Sequence, residues 1–347
     1  MEAHKYEGQH TLIEKVINKG LCVRCGACVG LCPYFDYFDG TVIVMDKCSA
    51  DTWRCLQVCP VADFEGTRPD RGTTGIENSG GIGRFKKVII ARAADEDMRR
   101  QSQYGGVASC LLIYSLNKGF IKSAVLTDKG GKFSPGGMIA KGPSDIFDCG
   151  QSRYSASGTL SALNRAIKEG QDRIGVVGLP CQMDALERMR LSEPDGKERS
   201  RRIAFKIGLF CTWAIDYRAL HAFLIEKSIN TPAKKFDIPP PPSEKFCVQT
   251  EKGWVDFPLD SVRPFIQKGC TICRDMTAEN ADISIGTLEG REGWNTVIIR
   301  TSVGEDIINS AESEGWLDVD SLADENFSHL MEASLNKRKR ALNNYAE

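Results

Sequence analysis

Residues 22–33 read CVRCGACVGLCP, and residues 48–60 read CSADTWRCLQVCP. The first stretch spaces its cysteines C-x2-C-x2-C-x3-C and follows them with a proline; the second ends on C-x3-C-P at Cys55, Cys59 and Pro60. Thiolates are soft ligands suited to iron–sulfur clusters. Three closely spaced cysteines can wrap one cubane, while a fourth reaches across to another cluster. Gly26 lets the chain turn tightly between ligands, and Pro33 directs it away. A crosswise reading gives a first cluster held by Cys22, Cys25, Cys28 and Cys59. The second then has Cys32, Cys48 and Cys55, with one corner unfilled. Ser49 and Thr52 stand where cysteines are expected, and Cys48 is displaced by one position. Asp51, a remote cysteine or a three-iron cluster would each account for the open corner, and Cys48 as a free cysteine stays open too. The competing reading of the cassette is structural zinc, whose sites rarely use so compact a four-cysteine rhythm.

Working outward, the spacing is that of bacterial ferredoxins, and residues 1–65 are expected to form a ferredoxin-like domain. That region carries little apolar core and would fold around its clusters. Residues 66–83, GTRPDRGTTGIENSGGIG, read as a linker or covering loop. Residues 84–347 alternate. Strands are expected at 86–93, 121–128, 174–178, 203–211, 281–287 and 295–301. Helices are expected at 105–118, 157–169, 181–189, 304–315 and 330–346, with another at 1–19. The fold class is therefore α+β: a ferredoxin-like iron–sulfur region followed by a mixed α/β domain. The four prolines at 239–242 mark an insertion or surface loop, and the basic run Lys337–Arg340 reads as a solvated helix face.

The chain has 347 residues, 14 of them cysteine, with 41% apolar and 26% charged residues and a formal net charge of -1. That balance points to no nucleic-acid partner. The polar start lacks a signal-peptide pattern. The longest apolar stretches, such as Val107–Tyr114, fall short of the roughly 18 residues that span a bilayer. A cytoplasmic location is expected, with membrane association only through a partner subunit. Such a chain does not keep its cysteines as disulfides, which leaves metal ligation. GLPCQ (178–182) and GLFC (208–211) each follow a strand, and GCTIC (269–273) supplies a C-x2-C pair. Together Cys181, Cys211, Cys270 and Cys273 could make one four-thiolate site. A buried small residue at each strand end, or a dithiol at the pair, are the alternatives. Cys110, Cys149 and Cys247 are taken as non-ligands.

The chain resembles the family of beta subunits of coenzyme F420 hydrogenases and dehydrogenases over essentially its whole length. The resemblance rests on CVRCGACVGLCP, SQYGGVASCLLIYSL, YSASGTLSAL, GVVGLPCQMDAL, IGLFC and GCTICRDMTAENADISIGTLEGREGWNTVIIRT, in that order. It implies FAD, 4Fe–4S clusters (two or three, one of them three-iron or with a non-cysteine ligand) and hydride exchange with the deazaflavin coenzyme F420. It also implies a redox partner subunit in a hydrogenase, formate dehydrogenase, heterodisulfide reductase-like or membrane dehydrogenase complex. By the same resemblance Cys181, Cys211, Cys270 and Cys273 hold the catalytic-domain cluster. Two rival functions are kept: a ferredoxin-dependent flavoprotein reductase of an organic substrate, and a non-catalytic iron–sulfur relay.

No G-x-G-x-x-G fingerprint lies between a strand and a helix, so a Rossmann nicotinamide site has little support. The flavin candidate is the stretch Gln103, Tyr104, Gly105, Gly106, Val107, Ala108 and Ser109. Its glycines permit close backbone approach, and the helix that follows offers first-turn N–H groups to a pyrophosphate. A glycine-opened helix packed on the sheet is the plain alternative. Lys122 is a candidate for stabilising charge on a reduced flavin, Tyr154 for stacking on a ring, and Ser155 for a polar contact. Asp275 and Asp282 are expected to bind backbone near the last cysteine pair. The chemistry is expected to be cofactor-borne, with no protein acid–base pair.

Overall fold

Short runs rich in β-branched residues build one sheet whose central strands are buried on both faces, as parallel strands are. The computed structural model describes residues 8–48, 53–62, 81–130, 134–231 and 233–345. Its strands are β1 (Phe35–Phe38), β2 (Thr41–Val44), β3 (Lys87–Ala93), β4 (Ser123–Thr127), β5 (Gly137–Ala140), β6 (Ile174–Gly178), β7 (Ile203–Leu209), β8 (Lys235–Asp237), β9 (Lys245–Thr250), β10 (Gly253–Pro258), β11 (Ile283–Thr287), β12 (Asn295–Ile299) and β13 (Leu317–Ser321). The helices are α1 (Gly8–Leu12), continued by a π-helical turn at Ile13–Ile17, α2 (Arg54–Gln57), α3 (Glu96–Gln101), α4 (Val107–Asn117), α5 (Pro143–Asp148), α6 (Thr159–Lys168), α7 (Pro180–Leu191), α8 (Gly196–Ser200), α9 (Tyr217–Glu226), α10 (Lys268–Thr271), α11 (Ser302–Ser313) and α12 (Asp324–Tyr345).

The large sheet has the order β13-β3-β12-β11-β7-β6-β4-β5. β11, β7, β6 and β4 run parallel to one another. β5 closes one side antiparallel, and β12, β3 and β13 extend the other. Alternation along each strand feeds two cores. Ala124 and Leu126 of β4 join the core under α4 and α11, while Val125 joins the core under α6 and α7. The result is a three-layer α/β/α domain whose parallel strands present their carboxyl ends on one edge. The mixed α/β reading of this part therefore holds, with β5 and β13 as added edge strands.

Between β7 and β11 the chain inserts a small antiparallel sheet, ordered β10-β9-β8, backed by α9. Phe223, Phe246, Val248 and Val262 form its core. The proline run at 239–242 lies between β8 and β9, consistent with an insertion.

The N-terminal segment has more apolar core than its composition suggests. Leu12, Val16, Val29, Phe35, Val42 and Leu56 are buried together, and the hairpin β1–β2 pairs Phe35 with Val44. Val23, Cys25, Ala27 and Val58 pack into the core of α6 and α7, so this segment shares a core with the large domain. Polar contacts fix the seam. The Leu160 amide donates to the Cys25 carbonyl at 3.1 Å. Asn164 Nδ2 donates to the carbonyls of Ala27 (2.8 Å) and Val29 (2.7 Å), and its Oδ1 accepts from Arg199. Gly26, at φ +81°, lies so close to the domain that a Cβ there would stand 2.6 Å from the Gly158 carbonyl oxygen. Of the stretch 66–83, residues 81–83 are described. Ile82 is fully buried, and its carbonyl accepts from Arg300 and Thr277.

Replacing Asn164 with alanine leaves two buried carbonyls without donors, a loss of about 2 kcal/mol. Asn164→Ala is expected to lower the urea midpoint and to speed loss of iron from the N-terminal segment; an unchanged midpoint would show that the seam does not depend on this side chain.

Candidate metal centres and cofactor site

At the carboxyl end of β6 the chain turns through Gly178 and Leu179 into α7, with Pro180 at the first helical position. Gln182 Oε1 accepts from the Leu179 amide at 2.8 Å, and Gln182 Nε2 donates to the Ser157 carbonyl at 3.1 Å. This clamps Cys181 at the sheet edge. Cys211 follows β7, and its amide donates to the Met276 carbonyl at 2.9 Å. Cys270 sits in α10 and Cys273 just beyond it. The four thiols line one pocket, together with Val23, Trp213 and Lys337.

A second pocket is lined by Cys22, Cys25, Cys28 and Cys59 with Leu12, Val16 and Val23. These are the four residues of the crosswise reading. Val23 lines both cavities. Burial pushes the Cys181 thiol well above its ordinary range, and the Cys25, Cys273, Cys211 and Cys270 sulfurs push it further. Cys25 is thus a near neighbour of the Cys181 set. Cys59 is pushed up to about 11 by burial and then by Cys22. Cys211 rises to about 12, chiefly by burial, with Lys337 opposing. Without metal these groups are thiols, and cluster assembly must expel their protons.

Among the described residues, no three histidine, cysteine, aspartate or glutamate side chains converge as the ligands of one metal ion do. Each cysteine quartet instead stands around a space, and an iron–sulfur cubane fits that arrangement better than a single zinc ion with its sulfurs about 2.3 Å away.

Cys32, Cys48 and Cys55 form the third group. Burial, then Cys48, raises Cys32; burial, then Cys32, raises Cys55 to about 12. Cys55 also acts on Cys28 of the first quartet. The Cys48 amide donates to Gln9 Oε1 at 2.7 Å. Ser49, Asp51 and Thr52 lie outside the described residues. Cys110, Cys149 and Cys247 are elsewhere: Cys110 donates to the Trp316 carbonyl, Cys149 meets Met138 Sδ, and Cys247 is in β9.

Of the flavin candidates, Gln103, Tyr104 and Tyr154 gather around one residue that sequence reasoning missed. Asp237, at the end of β8, accepts from Tyr104 Oη at 2.7 Å and from Gln103 Nε2 at 2.9 Å. Tyr154 Oη lies 3.5 Å from the same carboxylate oxygen and accepts from the Ile238 amide at 3.0 Å. Tyr104 and Tyr154 take φ values of +53° and +54°, a region bulky residues avoid and one that recurs at functional sites. Burial, then Asp237, raises the Tyr104 phenol well above its usual range. Tyr154 meets Phe246 edge-on, and Ser155 bridges to Ile215. Among the described residues, the buried Oε1 atoms of Gln103 and Gln151 have no hydrogen-bond partner. An isoalloxazine ring, with its N–H donor, is a group these acceptors fit.

Two expectations change. Gly105 gives its space to the protein itself, since a Cβ there would meet Asn295 Oδ1 at 2.7 Å and the Ala91 carbonyl at 3.1 Å. Asn295 Oδ1 also accepts from the Val107 amide. The glycine thus serves helix packing against β3 and β12, leaving Ala108 and Ser109 as the half-exposed part of the turn. Lys122 stands before β4, at the opposite end of the parallel strands, and pairs with Asp172 at the surface. The structure does not bring it to the site. Asp275 and Asp282 bind backbone as expected: Asp275 caps the amides of Thr277, Ala278 and Glu279, and Asp282 accepts from Lys206.

The basic run at Lys337–Arg340 is not a simple solvated face. Lys337 is 3% exposed and donates to the carbonyls of Cys211 and Asp275, each at 2.7 Å. Arg338 reaches the Gly81 carbonyl and Glu279. Ser334 and Ala341, both buried, flank Lys337 along α12. Small residues one turn either side of the lysine were the available sequence signal.

Family models match three parts of the chain. These are a 4Fe-4S binding domain at residues 15–35, and the N-terminal and C-terminal parts of the coenzyme F420 hydrogenase/dehydrogenase beta subunit at 88–164 and 171–325. Coenzyme F420 hydrogenase subunit beta of Methanosarcina barkeri is 33% identical over 243 residues, covering 68% of this chain and 82% of that protein. A subunit of the F420H2 dehydrogenase of Methanosarcina mazei is 27% identical over 321 residues, 87% of this chain and 85% of that protein. A chain in the structure of the F420-reducing NiFe hydrogenase complex of Methanosarcina barkeri superimposes with a TM-score of 0.70 at 29% identity, covering 76% of this chain and 91% of that one. The chain belongs to the family of coenzyme F420 hydrogenase/dehydrogenase beta subunits.

Proposed function

We propose that this chain is an FAD- and iron–sulfur-bearing oxidoreductase subunit that exchanges a hydride with coenzyme F420 and passes single electrons to or from a partner subunit. The observation that carries this reading is the adjacency of two four-cysteine cavities, joined at Val23 and at the Cys25–Cys181 approach, beside the Asp237–Tyr104–Tyr154 network. The M. barkeri and M. mazei relatives, an F420 hydrogenase subunit and an F420H2 dehydrogenase subunit, support F420 as the carrier and a complex as the setting.

In this reading Cys181, Cys211, Cys270 and Cys273 hold one 4Fe–4S cluster, and Cys22, Cys25, Cys28 and Cys59 hold another. Cys32, Cys48 and Cys55 hold a third group farther out. The cysteine-rich region through residue 65 is the relay, and residues 84–347 are the hydride-exchanging part. When bound, FAD supplies two-electron hydride chemistry and one-electron release. Gln103 and Gln151 offer buried acceptors to its ring, and Asp237 fixes Gln103 and Tyr104 against the sheet edge. The Ala108 and Ser109 amides, in the first turn of α4, suit its pyrophosphate. Leu12, Val16, Val23 and Val42 on the wall of the Cys22 pocket limit the water that reaches a cluster there.

The direct test mixes the anaerobic, FAD-loaded protein with reduced F420, NADH or reduced ferredoxin and follows the flavin absorbance. Fast bleaching by reduced F420 alone is expected; bleaching by ferredoxin alone would transfer the chain to the reductases of organic substrates.

Iron content tests the ligand sets separately. The paired variants Cys25→Ala/Cys28→Ala and Cys270→Ala/Cys273→Ala are each expected to lose about four irons per chain, while Cys110→Ala loses none. Full iron in the Cys270→Ala/Cys273→Ala protein would remove the catalytic-domain cluster from the scheme.

Flavin retention tests the network. Asp237→Ala removes one charged hydrogen-bond acceptor, worth about 1.4 kcal/mol or roughly tenfold in FAD affinity. Tenfold weaker FAD binding with unchanged iron is the expected result; unchanged binding would move the flavin away from this carboxylate.

A further inference from the structure

Lys337 is the one buried cation on the wall of the Cys181 cavity among the described residues. Two of its three N–H bonds are accounted for by the Cys211 and Asp275 carbonyls, each at 2.7 Å. These acceptors belong to the segments that carry the cysteines, so they aim the ammonium at the quartet.

The other charges nearby are spoken for. Arg24, on the wall of the Cys22 pocket, is paired with Asp216 at 2.6 Å. The Asp275 carboxylate is occupied by three backbone amides, and no ion pair to Lys337 forms among the described residues. A buried ammonium is costly unless an anion faces it. A cluster bound by four thiolates is such an anion, and one-electron reduction makes it more negative by one charge. Cluster potentials follow net charge and hydrogen bonding around the sulfurs.

We infer that Lys337 is a positioning residue whose fixed positive charge raises the reduction potential of the cluster held by Cys181, Cys211, Cys270 and Cys273. This rests on the cluster assignment proposed above. In the step concerned, the cluster gains one electron from the reduced flavin or from the neighbouring cluster. No bond forms or breaks, and Lys337 keeps its protons throughout. The charge makes this cluster the electron-collecting station between the flavin and the N-terminal relay.

The test is an EPR-monitored redox titration of the full chain with all clusters assembled, comparing wild type with Lys337→Met, Lys337→Gln and Lys337→Arg. The signal belonging to this cluster is the one lost in the Cys270→Ala/Cys273→Ala protein. If no signal is lost there, it is the cluster assignment that fails, and the Lys337 comparison is not at issue. With the signal assigned, the Met and Gln variants are expected to reduce it about tenfold less readily at a given potential, a shift of about 59 mV for one electron. Lys337→Arg should restore it, and the other signals should stay in place. Loss of this cluster in both neutral variants but not in Lys337→Arg also supports a requirement for the charge. An unchanged midpoint in Lys337→Gln, or loss of the cluster in all three variants, would overturn the inference, because hydrogen bonding or packing alone would then explain the residue.

Discussion

Where Gly26 lies against Gly158, two backbones approach so closely that no side chain fits between them. The Leu160–Cys25 hydrogen bond and the two donors of Asn164 hold the approach in place. The rest of the redox architecture depends on that contact. It seats the cysteine loop on α6 and puts Cys25 next to Cys181, so that two cysteine quartets from distant parts of the chain share Val23 as a common wall. Electron transfer weakens steeply with distance, and a looser seam would separate the cavities before it unfolded either one. The apolar core shared by Val23, Cys25, Ala27 and Val58 with α6 and α7 gives the seam its hydrophobic support.

The carboxyl edge of the parallel strands organises the other half of the site. Strand ends there deliver Cys181 and Cys211, and the turn between α3 and α4 delivers Gln103 and Tyr104. This is the edge at which open α/β sheets gather ligands. The insert between β7 and β11 completes it by lowering Asp237 onto the two tyrosines. Both tyrosines hold positive φ, and the hydrogen bonds from Tyr104 to Asp237 and from the Ile238 amide to Tyr154 help secure them.

Buried polar groups tie these parts into one body. Arg300 donates to Ser284, Thr277 and the carbonyls of Ile82 and Arg84, joining the stretch before β3 to the loop that precedes β11. Lys337 does the same between α12 and the cysteine-bearing turns. Such groups are tolerated in the interior only when their hydrogen bonds are met, so they fix relative placement more strictly than apolar packing does.

The cysteine rhythm at 22–33 and the ending at 55–60 were legible without any structure, because ligand spacing around a cluster is a local chemical requirement. The central strands were legible as well, since each is a short apolar run that must be buried on both faces. Strands β5, β8 and β13 escaped, being short and only partly buried, and β10 escaped because it is exposed along nearly its whole length. The two readings of Gly105 stayed open in the sequence, because a glycine that admits a ligand and one that admits a neighbouring strand look the same there. Local pattern gave no sign of Asp237, and for Lys337 it offered only the small residues Ser334 and Ala341 on the same helix face, not the groups it meets. Tyr104 meets Asp237 across 133 positions, and Lys337 meets Asp275 across 62. The sequence by itself determined where the cluster-type cysteine spacing lies and which segments form the central strands of the sheet. Tertiary structure alone decided which charges face those sites, because a buried ion's partner is chosen by how distant segments pack and not by its neighbours along the chain.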